Sequence, residues 1–491
     1  VGSEMCIRDR TYVVRDYFDV FDEVYCPKEH TFEFLQNVLT EVMELFPSHY
    51  IHIGGDECPK KAWKKCAHCQ HLMKWEGLPN EEALQSWFIH RIEQFVNSKG
   101  RDIIGWDEIL EGGLAPNATV MSWRGEKGGI EAAHQRHKVI MTPGKKCYLD
   151  YYQESPEFAP LAIGGFLPLD TVYNYNPLPA ELTPEEQAYI IGVQANIWGE
   201  YIQTPEYFEY MAFPRLLAMS EVQWTQPEHK DFESFARRLD KEFERLDYCG
   251  VNACRNFYEV NQAGAWNKSQ QTYEVTLNTF CPDADIYYAV NDSTVNTSSS
   301  LYKTPIPLDE DATVYSAVYR DGKPLGKVTR KSFAVNKATG CDYTCNPAAG
   351  WEHLNEGFGL TDGRRGYARD MRRWISFYQD TVQIVVELKK PQKVKEVAFS
   401  SLWRPVNEIW PARAMSVSVS MDGQTFIPVG TKRLTYDFSL TEGTRFPASL
   451  SFAETEATFV RLELLSGGLC PKGYFHEGLQ SELAIDEIEI Y

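Results

Sequence analysis

Long apolar runs are missing from this sequence. No stretch approaches the roughly 20 residues that span a bilayer, and 43% hydrophobic with 24% charged residues is the balance of a soluble globular protein, so no transmembrane segment is expected. Basic charge is also scarce. With 49 Lys and Arg against 69 Asp and Glu, the formal charge is -20, which argues against nucleic acid as a partner, because phosphate binding needs clustered cations. Twelve cysteines in 491 residues are too sparse and too irregular for a disulfide scaffold. The first ten residues, VGSEMCIRDR, lack the apolar core of a signal peptide and are left unassigned. What is plentiful is aromatic: 12 Trp, 27 Tyr and 26 Phe suit both cores and stacking on the faces of neutral sugars.

The length suggests about three domains. Residues 11–255 alternate helix-like and strand-like segments, the pattern of β/α units around a parallel sheet. Phe34, Leu35, Val38, Leu39, Val42, Leu45 and Phe46 recur at helical spacing after a Thr31 cap. Strands are predicted at 50–53, 102–106, 119–123, 138–141 and 190–195, with a helix from 81 to 99 stopped by Gly100. Polar and aromatic residues follow each strand, where (β/α) barrels place their active sites. The expected fold class is therefore α/β, a (β/α)8 TIM barrel represented by five of its eight units, with about three N-terminal units missing. A helix carrying Phe232, Phe235, Leu239, Phe243 and Leu246 closes this part. Alternating strands then predict a small β-sandwich at 256–336 and a second one at 341–491. The last strand, with Ile488 and Ile490 alternating with Glu487 and Glu489, reads as one buried and one wet face.

Asp56 and Glu57 stand at the end of the first of these strands, and adjacent side chains there point to different sides, so the two carboxyls can reach two parts of one bound ring. Gly54 and Gly55 before them let the backbone approach closely. A lone Asp-Glu after a turn is ordinarily just solvated. Here the run His52-Ile53-Gly54-Gly55-Asp56-Glu57 is followed, in order, by Gly105-Trp106-Asp107-Glu108, Ser122-Trp123-Arg124-Gly125, Tyr148-Leu149-Asp150 and Trp198-Gly199-Glu200. Together they resemble glycoside hydrolase family 20, the β-N-acetylhexosaminidases, from about Thr31 to Glu221.

That resemblance implies an exo-acting hydrolase of terminal β-linked N-acetylglucosamine or N-acetylgalactosamine that works by substrate assistance with retention. Glu57 would be the general acid, Asp56 would hold the substrate's acetamido N–H, and Tyr148 would donate to its carbonyl oxygen, giving an oxazolinium intermediate. Trp106, Trp123 and Trp198 would wall the acetyl methyl, and Asp150 and Glu200 would accept sugar hydroxyls. His52 and Asp107 are assigned structural hydrogen bonds. No cofactor is required. The family's sugar-binding Arg on the first barrel strand has no counterpart here, nor does the Trp that some members carry after the tyrosine motif. Two rival readings are a glycan-binding adhesion protein with a degenerate barrel, and a family 20 enzyme that releases a disaccharide. The domain order implies an exported protein, periplasmic, cell-surface or extracellular; oligomeric state is open.

Cys58, Cys66 and Cys69, with His68 and His71 close by, could make a metal site, a disulfide or unpaired thiols, since only one Cys-x-x-Cys pair is present. The segment with Gly350-Trp351, Asp362-Gly363, Trp374, Trp403-Arg404 and Asp486-Glu487 resembles discoidin-like, coagulation-factor type C modules. Their end loops bind sugars or a structural calcium ion, which makes Trp351, Trp403 and Asp362 candidates. The middle sandwich resembles the small domain that follows family 20 barrels and reads as a spacer.

Overall fold

A computed structural model describes residues 24–350, 359–440, 443–474 and 476–491. The unassigned segment 1–10 and the candidate Trp351 lie outside the described residues. Among the described residues the chain divides into two compact units, 24–153 with 166–232, and 154–165 with 233–491.

The first unit is built on five parallel strands hydrogen-bonded in sequence order: β1 (Tyr50–His52), β2 (Asp102–Trp106), β3 (Thr119–Ser122), β4 (Val139–Met141) and β5 (Ile190–Val193). Each short apolar run sits between helices, and the strictly sequential order is what successive β/α units produce. Helix α1 (Glu29–Leu45) precedes β1; α2 (Lys61–Lys65), α3 (Ala67–Glu76) and α4 (Glu81–Ser98) lie between β1 and β2. Asn80 caps α4, its side chain accepting from Ala83 N at 2.9 Å, Glu81 and Glu82 favour the positive helix end, and Gly100 ends the turn at φ 73°. Leu84, Ile89, Ile92 and Val96 of α4 are buried, and α5 (Lys127–His134) covers β3 and β4 with Ala132 and Ala133.

Helix α1 departs from expectation. It starts two residues before Thr31, which is buried in the first turn instead of capping it, and Phe32 and Met43 are its buried apolar residues. The predicted stripe is uncovered among the described residues, with Phe34 at 49%, Val38 at 42% and Leu45 at 75% exposure, because helical spacing fixes a face but not what lies against it.

The helix Phe232–Tyr248, which belongs to the second unit from Glu233 onwards, buries Phe235, Leu239 and Phe243. Residues 261–333 form a three-stranded and a five-stranded sheet, which meet through the Tyr273 and Phe333 rings (5.9 Å) and a Gln262 to Ser316 hydrogen bond (2.8 Å). The remainder is one eight-stranded sheet organised on two long antiparallel strands, Thr381–Trp403 and Thr444–Leu465, with register shifts between Glu387 and Gln392 and between Val394 and Glu396. Val382, Ile384, Val386 and Leu388 are all buried, as the alternation predicts.

Two alternations break at element ends. Met421 is 52% exposed because the Asp422-Gly423 turn begins there. The wet face expected of Glu487 and Glu489 is buried as well: Glu487 accepts from the N–H of Asp362 and of Gly363, and Glu489 pairs with Arg365 at 2.7 Å. Tertiary partners override an alternation that isolated sequence reads as solvent-facing.

Candidate active site

The ladder hydrogen bonds continue past the carboxyl ends of the strands and bring the site loops together. Ile53 N donates to Ile104 O and Trp106 N to Gly54 O, each at 2.9 Å; Gly144 N reaches Trp123 O at 2.9 Å, Asn196 N reaches Cys147 O at 2.9 Å, and Leu149 N reaches Asn196 O at 2.7 Å. The site side chains therefore stand on backbone tied strand by strand. Beyond β1 the chain turns sharply: Gly54, Gly55 and Glu57 all have positive φ (77°, 92° and 44°). A Cβ on Gly55 would stand 2.6 Å from Ile109 Cγ2, so the turn needs glycine there, and Glu57 is held in a conformation that non-glycine residues rarely adopt. Gln85 Nε2 donates to Gly55 O at 2.9 Å and anchors the turn on α4.

Four rings, Trp106 at the end of β2 and three from the loops that follow β3, β4 and β5, close a circuit. Trp106 lies 6.5 Å from Trp123 and 6.0 Å from Trp198, while Tyr148 lies 6.3 Å from Trp123 and 6.4 Å from Trp198. Beside them a hollow of about 740 Å3 opens on the sheet, with His52, Gly54, Trp106, Asn196 and Trp198 among its lining residues. Trp198 is 42% exposed, so the circuit has one accessible wall. His52 meets the edge of Trp106 at 4.8 Å and accepts from Gly54 N at 3.1 Å through Nδ1, a structural bond that braces the glycine turn.

Charges around the rings are held unequally. Asp107 is buried and pairs with Arg124 (Nε to Oδ1, 2.8 Å). Glu108 is buried too; desolvation raises its pKa, and the Trp123 indole N–H, donating to Oε2 at 2.9 Å, pulls it back. Burial pushes Tyr148 up to about 12, so its hydroxyl keeps its proton and can act as a donor throughout the neutral range. Burial likewise raises Asp150 to about 6 against the pull of backbone N–H groups, with Glu200 close enough to add to the rise. Among the described residues Asp150 Oδ1 is buried with no hydrogen-bond partner, an acceptor position left for a donor. Asp56 is half-buried and Glu57 exposed, both at the turn beyond β1, and the Asp56 charge is near enough to act on His52.

Glu108, Arg124, Asn196 and Arg215 are contributors that sequence reasoning did not single out. Glu108 stands inside a recognised motif. Arg215 gave no local signal: it is fully buried and binds Tyr151 O and Leu167 O at 2.9 Å, Met211 O at 2.6 Å and also Leu149 O, which fixes the loop that carries Tyr148 and Asp150. The C-terminal candidates behave differently. Trp403 is 8% exposed in an aromatic cluster with Phe438 and Phe446, and the Asp362 carboxylate accepts from Gly359 N and Arg364 N at 2.9 and 3.0 Å, so both are internal struts. A second cavity, about 420 Å3 beside Tyr436 and Pro447, contains no acid–base pair.

Two segments of the chain are similar to known protein families. Residues 3–227 match the catalytic domain of glycosyl hydrolase family 20, and residues 261–329 match the chitobiase/beta-hexosaminidase C-terminal domain. The first of these segments is thus similar to the catalytic domain of family 20 glycoside hydrolases. A beta-hexosaminidase of Porphyromonas gingivalis is 53% identical over 245 residues, which is 50% of this chain and 32% of that protein. A beta-hexosaminidase of Vibrio furnissii is 37% identical over 195 residues, 39% of this chain and 32% of its own length. The chain thus spans about a third of the length of these relatives. The crystal structure of an exo beta-N-acetylglucosaminidase from Vibrio harveyi in complex with N-acetylglucosamine matches at 35% identity over 46% of this chain and 36% of that one, with a TM-score of 0.43.

Proposed function

We propose that the chain hydrolyses terminal, non-reducing β-linked N-acetylglucosamine or N-acetylgalactosamine by substrate-assisted retaining catalysis. The observation that carries this is the closed circuit of Trp106, Trp123, Tyr148 and Trp198 beside the turn that bears Asp56 and Glu57. An apolar ring wall with one hydroxyl donor suits an acetamido group, whose methyl is apolar and whose oxygen accepts. The five sequential strands are read as consecutive units of a (β/α)8 barrel.

In this reading Glu57 protonates the glycosidic oxygen while the acetamido oxygen attacks the anomeric carbon. Asp56 accepts the acetamido N–H and offsets the positive charge that develops as the oxazolinium ring forms, and Tyr148 O–H orients the carbonyl. Glu57 then takes a proton from the water that opens the ring. Asp150 and Glu200 accept sugar hydroxyls, Asp150 through its unpartnered oxygen.

The test is hydrolysis of aryl β-N-acetylglucosaminide and galactosaminide beside the plain aryl β-glucoside. Turnover of the first two and none of the third is expected, because only they carry the internal nucleophile. Glu57→Gln should lower kcat by roughly 10² to 10⁴, with little effect on folding because the side chain is exposed. Equal turnover of the glucoside, or full activity in Glu57→Gln, would refute the mechanism.

A further inference from the structure

Immediately after the Asp56-Glu57 turn the chain makes an excursion, α2 and α3, that buries a cluster of sulfur. Cys26, from the segment before α1, meets Cys66 Sγ at 4.0 Å and Cys69 Sγ at 3.8 Å, and all three sulfurs lie within 4.8 Å of one another. Cys58 packs against the same buried group, which includes Trp63, Met73 and Leu84. Among the described residues this is the only grouping of three or more His, Cys, Asp or Glu close enough to share a metal ion.

The spacing discriminates between chemistries. A disulfide would bring two sulfurs to about 2.05 Å. Zinc–thiolate bonds of about 2.3 Å at tetrahedral angles put the sulfurs about 3.8 Å apart, close to the separations of 3.8 and 4.0 Å seen here. We propose that Cys26, Cys66 and Cys69 hold a structural zinc ion, with Cys58, which packs beside the three and outside their 4.8 Å grouping, turning in as the fourth ligand.

The neighbourhood fits a cation bound by thiolates. Cys66 caps the ten-residue helix α3 and Cys69 lies in its first turn, so the helix dipole favours negative sulfur there. Lys60 reaches Cys58, donating to its backbone oxygen at 2.9 Å, which sets one positive charge beside the cluster. Of the two histidines in this segment, His68 is engaged with Pro27 O at 3.3 Å and His71 is exposed. Binding releases the four thiol protons and ties 26, 58, 66 and 69 to one point. The chain leaving the acid pair is thereby pinned to the segment before α1, as structural zinc pins loops elsewhere.

The test uses the full chain, produced under reducing conditions with zinc and dialysed without chelator. One zinc per chain by elemental analysis is expected, and replacement by Co2+ should give thiolate-to-metal charge-transfer absorption. Cys69→Ser should lose the metal, Cys58→Ser should weaken its retention and alter the Co2+ spectrum, and Cys249→Ser, an exposed cysteine on a different unit, should change neither. If Cys69→Ser does not fold, the wild type decides: stripping the metal with a chelator should lower the thermal midpoint and make Cys26, Cys58, Cys66 and Cys69 reactive towards a thiol reagent. Native zinc-free protein whose melting ignores added Zn2+, or a disulfide mapped between any two of the four, overturns the site. An unchanged Co2+ spectrum in Cys58→Ser removes Cys58 from it.

Discussion

Replacing Asp150 with Asn separates what a buried carboxylate costs the fold from what it offers a ligand. Asp150 is 4% exposed, and burial raises its pKa from 3.8 to about 6. At about 1.4 kcal/mol per tenfold change in acidity, the ionised side chain destabilises the fold by about 3 kcal/mol. The sign follows from proton counting. Between 3.8 and about 6 the folded chain holds a proton that the unfolded chain has released, so this group's contribution to stability is full below 3.8 and is lost as pH rises through about 6. Asn cannot ionise, and its amide oxygen can still accept the backbone N–H groups. Asp150→Asn should therefore match the wild type near pH 4 and exceed it by up to about 3 kcal/mol at pH 7.5. Urea unfolding of both proteins across that range, followed by tryptophan fluorescence, measures the difference. A difference that does not vary with pH, or an Asn variant that is the less stable at pH 7.5, would refute the reasoning.

Two more outcomes follow from the geometry around the site. Arg215→Met keeps the bulk of the side chain but strands the carbonyls of Leu149, Tyr151, Leu167 and Met211, and should cost at least about 3 kcal/mol in chemical unfolding; a near-neutral variant would mean that water replaces the guanidinium. Gly55→Ala forces a Cβ onto Ile109 at φ 92° and should cost about 1–3 kcal/mol in the same assay, with a larger loss in kcat than in KM because the turn positions both carboxyls; unaltered stability would show that the turn can relax.

Much of the frame was legible from residue order. The strand at 102–106 and the helix opening at Glu81 coincide with their periodic apolar patterns, since a strand buried on both faces and an amphipathic helix each leave a local imprint. The motif residues were legible too, being short runs at strand ends. Less was legible where the partner lies far along the chain: Cys26 joins Cys66 and Cys69 from 40 and 43 residues away, and Arg215 reaches back 66 residues to Leu149.

Sequence by itself determined which positions alternate, where glycine must turn the chain, and which acids and rings stand at strand ends, because those depend on neighbours a few bonds away. Tertiary structure alone decided that four rings close into a circuit, that Glu487 and Glu489 are buried while Phe34 and Val38 are exposed, and that three sulfurs converge. Burial and convergence are properties of the whole packed chain: desolvation and Coulomb energies depend on distance in space, which chain separation does not set.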